Sequence, residues 1–368
     1  MSITTINRHA KRVCVALAVV AICAGVALAA DDAAPRIEYR IELSEPVTPT
    51  VFDGDTRDLP APYAWKPGDA IREIPRRYYP GPENEAQFIG AGNTGQTDPL
   101  VDAQFGAATQ RGGGTFTTPS RNFAGEGFTG VNPPDTVGDV GPNHYIQMVN
   151  ASGGTIVTIF DKGEPTPTEV STFSLDSLGS GQCASGLGDP IVLYDRVAER
   201  WMLSEFSSSG NNLCVYISQT TDPVSGGWFA YGYTAPSFPD YPKYGVWPTD
   251  ANGGAGSYIV TTNESSSGIY AMDRAAMLAG TAATFQRFAI ADLPGFSFNA
   301  VTPADLDGAD GPPTGAPAVI MRPRDTEVHS GPSAAEDVLE IWHFDVDWVN
   351  EANTALTQLP NIDIAELS

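Results

Sequence analysis

From residue 133 onward, apolar positions recur in short alternating runs separated by Gly, Pro, Asn and Asp. Alternation of this length predicts half-buried β-strands, and no stretch here holds a 3.6-residue period. Four runs align with one another: HYIQMVN (144–150), RWMLSEF (200–206), SYIVTTN (257–263) and PAVIMRP (317–323). Tyr145, Trp201, Tyr258 and Ala318 are the equivalent positions, spaced by 56, 57 and 60 residues. Each is followed by a second run: GTIVTIFDK (154–162), NLCVYISQT (212–220), GIYAMDRAA (268–276) or VLEIWHFDV (338–346). A third follows in turn: EVSTFSL (169–175), WFAYGYTA (228–235), TFQRFAI (284–290) or ALTQLPNID (355–363). One further strand-like piece precedes each aligned run: DTVGDV (135–140), DPIVLYD (189–195), YPKYGVWPTD (241–250) and NAVTPADLD (299–307). An aspartate closes every piece, at Asp139, Asp195, Asp250 and Asp307, which marks these four as structural counterparts.

Four short strands per repeat of about 57 residues predict an all-β fold built as a β-propeller, with a β-sandwich as the competing arrangement. One four-stranded sheet cannot bury both its faces alone, and stacking such sheets around an axis buries them against each other. The expected blades are 133–178, 189–235, 240–290 and 298–363, within a domain spanning 133–368. Residues 31–132 read differently. They hold proline clusters (LPAPYAWKPG, RRYYPGPEN) and Gly/Thr/Gln-rich runs (GAGNTGQTDP, TQRGGGTFTTPS), the composition of an extended arm with parts lying along the following domain.

The motifs NPPDTVGDVGPNHYIQMVN (132–150), GDPIVLYDRVAERW (188–201), DYPKYGVW (240–247) and TPADLDG (302–308) resemble those of a broad set of secreted bacterial propeller-like proteins. The resemblance covers roughly residues 120–365. It implies the propeller fold and export, and it carries no activity. Members of that set often run past the point where this chain ends, which implies a C-terminally truncated chain; completion of the ring by the N-terminal arm is the alternative.

Residues 1–30 have the pattern of a secretory signal. Arg8, Lys11 and Arg12 precede the apolar core VCVALAVVAICAGVALA, and Ala27-Leu28-Ala29 supplies a small-x-small cleavage site. No second apolar run is long enough to span a bilayer, so no membrane insertion is expected after cleavage, and the location is extracellular or periplasmic. The chain carries a net charge of −24, and the signal contains only basic charges, so the mature chain is more acidic still. Such a surface repels phosphate backbones and excludes nucleic acid as a partner. Cys14 and Cys23 leave with the signal; Cys183 and Cys214 remain as the pair for one disulfide.

Chemistry is sparse. There is no G-x-S-x-G elbow, H-E-x-x-H, P-loop or dinucleotide fingerprint, and His144, His329 and His343 have no metal-spaced partner. TTDPVSGGW (220–228) approximates an Asp-box, a structural turn found in propeller blades. DLDGADG (305–311) puts Asp305, Asp307 and Asp310 close together with glycines for turning, the oxygen ligands a calcium ion takes. If the first strand of each repeat lines a central channel, its leading residues converge at the entrance. These are Asp135, Asp189, Tyr241, Lys243 and Asn299. Two carboxylates, a phenol, an ammonium and an amide suit an extracellular glycan, peptide or surface protein. A glycoside hydrolase or lyase using the channel carboxylates is the alternative, and a purely structural module of a longer surface protein is a third reading.

Overall fold

The computed structural model describes residues 39–74, 121–163, 166–295, 299–308, 310–325, 329 and 337–364. The signal expected at 1–30 lies outside them. The N-terminal arm contributes three short strands, β1 (Glu42–Leu43), β2 (Thr50–Phe52) and β3 (Arg72–Glu73), and β3 pairs in parallel with β4 (Val131–Asn132). Sixteen strands then form four antiparallel sheets, each from four consecutive strands. Sheet I is β5 (Val137–Val140), β6 (His144–Ala151), β7 (Gly154–Asp161) and β8 (Thr168–Ser174). Sheet II is β9 (Gly186–Asp195), β10 (Arg200–Ser207), β11 (Asn212–Ser218) and β12 (Trp228–Thr234). Sheet III is β13 (Asp240–Trp247), β14 (Ser257–Asn263), β15 (Ser267–Asp273) and β16 (Phe285–Ile290), with a one-turn helix α1 (Arg274–Ala279) between its last two strands. Sheet IV is β17 (Thr302–Pro303), β18 (Ala318–Arg324), β19 (Val338–Asp345) and β20 (Ala355–Gln358), and β21 (Ile362–Asp363) also pairs with β19.

The hydrophobic core is divided into three layers, each between sheets consecutive in the chain. Ile146, Val157 and Phe173 of sheet I meet Val192, Trp201, Tyr216 and Trp228 of sheet II. Met202, Val215 and Tyr231 on the other face of sheet II meet Tyr244, Tyr258 and Tyr270 of sheet III. Ile259, Ile269 and Phe288 then pack on Ile320, Trp342 and Phe344 of sheet IV. Sheets II and III are therefore covered on both sides, and every residue of β11 and β14 is buried. In sheet IV, β19 alternates strictly between buried and half-buried positions, as a strand with one covered face should. Trp201, Trp228 and Trp342 are nearly or fully inaccessible. Burying one such ring removes roughly 150–250 Å² from water, about 4–6 kcal/mol gross at 25 cal/mol per Å².

The first strands of the four sheets neighbour one another in chain order, β5 against β9, β9 against β13 and β13 against β17. The last strands carry the arm. The Tyr39 hydroxyl accepts from Trp342 Nε1 of sheet IV at 3.0 Å. β1 then adds to β16 of sheet III, β2 adds to β12 of sheet II, and Thr56 Oγ1 shares a 2.8 Å hydrogen bond with Ser171 Oγ of β8 in sheet I. Residues 39–56 thus strap all four sheets in reverse order, and they cap two edges whose backbone groups would otherwise be unpaired.

Cys183 and Cys214 form the expected disulfide, with Cα atoms 5.6 Å apart. It ties the loop before β9 to β11. Among the described residues no helix is long and apolar enough to cross a membrane.

Candidate functional site

The strand registers define which residues are equivalent. Val140 pairs with Tyr145, Tyr194 with Trp201, and Val246 with Tyr258. Five residues upstream of Val140, Tyr194 and Val246 stand Asp135, Asp189 and Tyr241. In sheet IV, Thr302 faces Met321 and Pro303 faces Ile320, which puts Ala300 at the same place. All four have left-handed backbones, with φ of 39°, 53°, 50° and 48°. Glu199 is the one other non-glycine residue of that kind among the described residues. An L-residue in this region costs roughly 1–2 kcal/mol, and short polar side chains such as Asp tolerate it best. The same strained turn therefore recurs near the start of the first strand of every sheet.

Three of these turns put their side chains in one place. Asn150, on β6, clamps the first two: its Nδ2 donates to Asp135 Oδ2 at 2.7 Å, and its Oδ1 accepts from Asp189 N at 2.7 Å. Nδ2 also reaches the Pro133 carbonyl at 3.0 Å. The Asp135 and Asp189 carboxyls come within hydrogen-bonding reach of each other. Burial, then the charge of Asp135, its hydrogen bond and Asp240, push the Asp189 carboxyl up to about 7. Lys243 Nζ lies 3.5 Å from the centroid of the Tyr241 ring and donates to the Pro242 carbonyl at 3.4 Å. Burial lowers the Lys243 ammonium below its ordinary range, and Asp189, Asp135 and Asp240 oppose that fall. Asp240 also accepts from Tyr241 N at 2.9 Å, which holds the turn that presents the phenol. The cluster offers a close carboxyl pair, an ammonium and a half-exposed aromatic ring.

Four of the five residues expected at the entrance are thus brought together, Asp135, Asp189, Tyr241 and Lys243. Asn299 is not among them. It is buried, its Oδ1 accepts from Leu293 N at 2.7 Å, and the equivalent position belongs to its neighbour Ala300. Asn150 and Asp240 were not expected. Asn150 sits inside an apolar strand run and recurs as Asn263 in SYIVTTN, a signal of a polar group with a fixed structural task. Behind the cluster, Glu205 of β10 is fully enclosed between sheets I and II. A Cβ on Gly186 would come within 2.2 Å of its Oε2, so only glycine admits this carboxyl. Burial, followed by the charge of Asp176, raises Glu205 well above the usual carboxylate range.

The four closing aspartates are not counterparts, which corrects the sequence alignment. Asp139 is level with Leu193 and Gly245, and its Oδ2 accepts from Tyr194 N of sheet II at 2.6 Å. Asp195 is buried in an ion pair with Arg274. Asp250 caps the backbone N–H groups of Asn252 and Gly254. Asp307 is exposed and lies in the electrostatic field of Asp139 and Asp305. The calcium candidates Asp305, Asp307 and Asp310 likewise do not form a ligand set. Asp305 Oδ1 is spent on Val246 N at 2.8 Å, bridging sheet IV to sheet III, and no group of three or more His, Cys, Asp or Glu is arranged to hold a metal among the described residues. The Asp-box-like turn is structural: Asp222 accepts from Val224 N and Ser225 Oγ, and Trp228 Nε1 donates to the Pro223 carbonyl.

No family model and no curated protein matches the chain.

Proposed function

We propose that the four sheets are blades of a propeller-like ring, and that the protein is an exported binding protein whose ligand is an extracellular glycan seated over Asp135, Asp189, Tyr241 and Lys243. Three features support the ring. Cores lie between every pair of consecutive sheets, the first strands neighbour one another, and Asp307 of the fourth unit lies within the field of Asp139 of the first. The observation that carries the site is the left-handed turn repeated at equivalent positions, which aims the Asp135, Asp189 and Tyr241 side chains at one location. A carboxyl pair accepts from neighbouring sugar hydroxyls, the ammonium donates to a ring or glycosidic oxygen, and the phenol supplies an apolar face.

The hydrolase reading fits less well. Glycosidase carboxyls stand about 5–5.5 Å or 6.5–9.5 Å apart, with sugar or water between them. Carboxyls within hydrogen-bonding reach of each other, as those of Asp135 and Asp189 are, leave no such gap. A glycan array on the mature protein tests the binding reading. Discrete glycan hits that disappear in Asp189→Asn and Tyr241→Ala support it. A blank array, or hits indifferent to both substitutions, removes it.

A further inference from the structure

Sheet I carries a row of polar side chains on the face turned away from sheet II. Ile146, Met148, Val157, Ile159 and Phe173 point into the core shared with sheet II. Alternation turns Gln147 of β6, Thr158 of β7 and Thr172 of β8 the other way. The three are level, since Gln147 pairs with Thr158 and Thr158 with Thr172. Directly opposed residues on neighbouring strands have Cβ atoms about 4.5–5.5 Å apart. Glu126, from the segment that precedes β4, joins the row and touches two of its members. Its backbone N–H donates to Gln147 Oε1 at 2.7 Å, and its Oε2 accepts from the Thr158 hydroxyl at 2.7 Å.

These bonds fix which atoms face each other. A backbone N–H can only donate, so the oxygen of the Gln147 amide is turned toward it and not the nitrogen. The Thr158 hydroxyl has one proton and gives it to Glu126. Thr172 Oγ1, at 3.2 Å, is therefore the donor in its bond to Thr158, whose oxygen keeps a second lone pair. Thr158 is 1% exposed, and Gln147 and Glu126 are half-buried. Further along the same face, Phe123 packs edge-on against Tyr145 and Phe160, at 6.0 and 5.1 Å between centroids, and shields that end of the row from water. Gly125 lies against the amide, where a Cβ would stand 2.2 Å from Gln147 Oε1.

We propose that Thr158 and Gln147 join in an intramolecular ester that the protein makes by itself. Thr158 Oγ1 attacks the amide carbon of Gln147. The Glu126 carboxylate, already holding the hydroxyl proton at general-base distance, takes it up. The Glu126 N–H stabilises the negative charge that develops on Gln147 Oε1. The amide C–N bond then breaks, Glu126 returns the proton to the departing nitrogen, and ammonia leaves. One C–O bond replaces one C–N bond, and no oxidant, metal or second substrate takes part. Nucleophile and electrophile sit on paired strands, so the entropy of bringing them together is spent in folding. Ammonia is protonated in neutral water and does not return, which makes the step run one way. The product ties β6 to β7 through a bond that a reductant does not open, unlike the disulfide of sheet II.

Mass spectrometry of the intact, reduced protein tests this. The wild type is lighter by one ammonia than its sequence predicts. Cyanogen bromide cuts after Met148, between the two residues. It leaves the flanking wild-type fragments joined, and hydroxylamine, which cleaves esters, separates them. Thr158→Val and Glu126→Gln keep the full sequence mass, and their fragments part without hydroxylamine. A folded wild type of full sequence mass overturns the proposal, and this needs no variant to fold. Fragments that separate on cyanogen bromide alone, or an equal loss of ammonia in Thr158→Val, overturn it as well. Unaltered crosslinking in Glu126→Gln overturns the role given to that carboxylate.

Discussion

Asp195 and Arg274, 79 residues apart, form a bidentate ion pair between sheets II and III, with Nε to Oδ2 at 2.6 Å and an η-nitrogen to Oδ1 at 2.8 Å. Both side chains are almost fully buried, and the Tyr258 hydroxyl adds a third bond to Asp195 at 3.0 Å. Breaking a buried pair from one side strands the other charge, at a cost of about 3–5 kcal/mol. Arg274→Met is therefore expected to lose that much stability in denaturant unfolding. The double variant Asp195→Leu with Arg274→Met should recover a large part of it, since no charge is then left buried. A double variant as unstable as the single would mean that the bonds from Asp195 to the Val197 and Ala198 amides dominate.

The carboxyl pair at Asp135 and Asp189 makes stability depend on pH. Asp189 has a folded-state value of about 7, above its ordinary 3.8, so the folded state holds a proton that the unfolded chain releases. The resulting stabilisation is fully present below about pH 4 and is lost as pH rises through 7. Glu205, Asp139, Asp176 and Asp305 are raised too and act in the same direction. The contribution of Asp189 is thus the difference between the wild-type profile and that of Asp189→Asn. Melting temperatures from pH 4 to 8 should fall less steeply in the variant; parallel profiles would refute the raised Asp189 value.

Ala300 keeps the strained turn of sheet IV without the polar side chain that makes the turn useful elsewhere. Its φ of 48° favours glycine, so Ala300→Gly should raise stability by about 0.5–1 kcal/mol, visible as a higher urea midpoint at unchanged slope. Asp189→Gly relaxes the same backbone but loses the carboxyl contacts, so its net effect should be destabilising.

The disulfide closes a loop with a sequence separation of 31 residues. In the chain-entropy model its loss costs roughly 3–4 kcal/mol. Cys183→Ser with Cys214→Ser should fall in stability by that order without changing the far-ultraviolet circular dichroism of the folded state. A loss below about 1 kcal/mol would indicate that the loop before β9 is held by its packing alone.

The strand pattern was legible because period-2 alternation is a local property. The runs around Tyr145, Trp201, Tyr258 and Ala318 became β6, β10, β14 and β18 with boundaries within a few residues. The cysteine pair needed only counting. The convergence of Asp135, Asp189, Tyr241 and Lys243 was legible for a related reason: equivalent positions in repeated units project alike. What failed was finer than the repeat. Asp139, Asp195, Asp250 and Asp307 look alike in sequence, but the loops after the first strands differ in length, so the cross-strand register separates them. Asn299 missed its place by one residue for the same reason. The proline-rich arm gave no periodic signal, because strands of two or three residues such as β1 and β2 show no alternation to detect. Asn150 and Glu205 are polar residues inside apolar runs, and their importance emerges only when two sheets meet.

The strap has a consequence for how the molecule is made. Tyr39 leaves the ribosome 303 residues before its partner Trp342, and Thr56 precedes Ser171 by 115. Each arm segment is therefore synthesised long before the sheet it covers, and the earliest segment waits for the last sheet. The β2 and β1 segments are thus already at hand when the β12 and β16 edges emerge, and each edge can be covered as soon as its sheet forms. Only the Tyr39 contact has to wait for the fourth sheet, so the strap closes from the first sheet toward the last as the chain emerges.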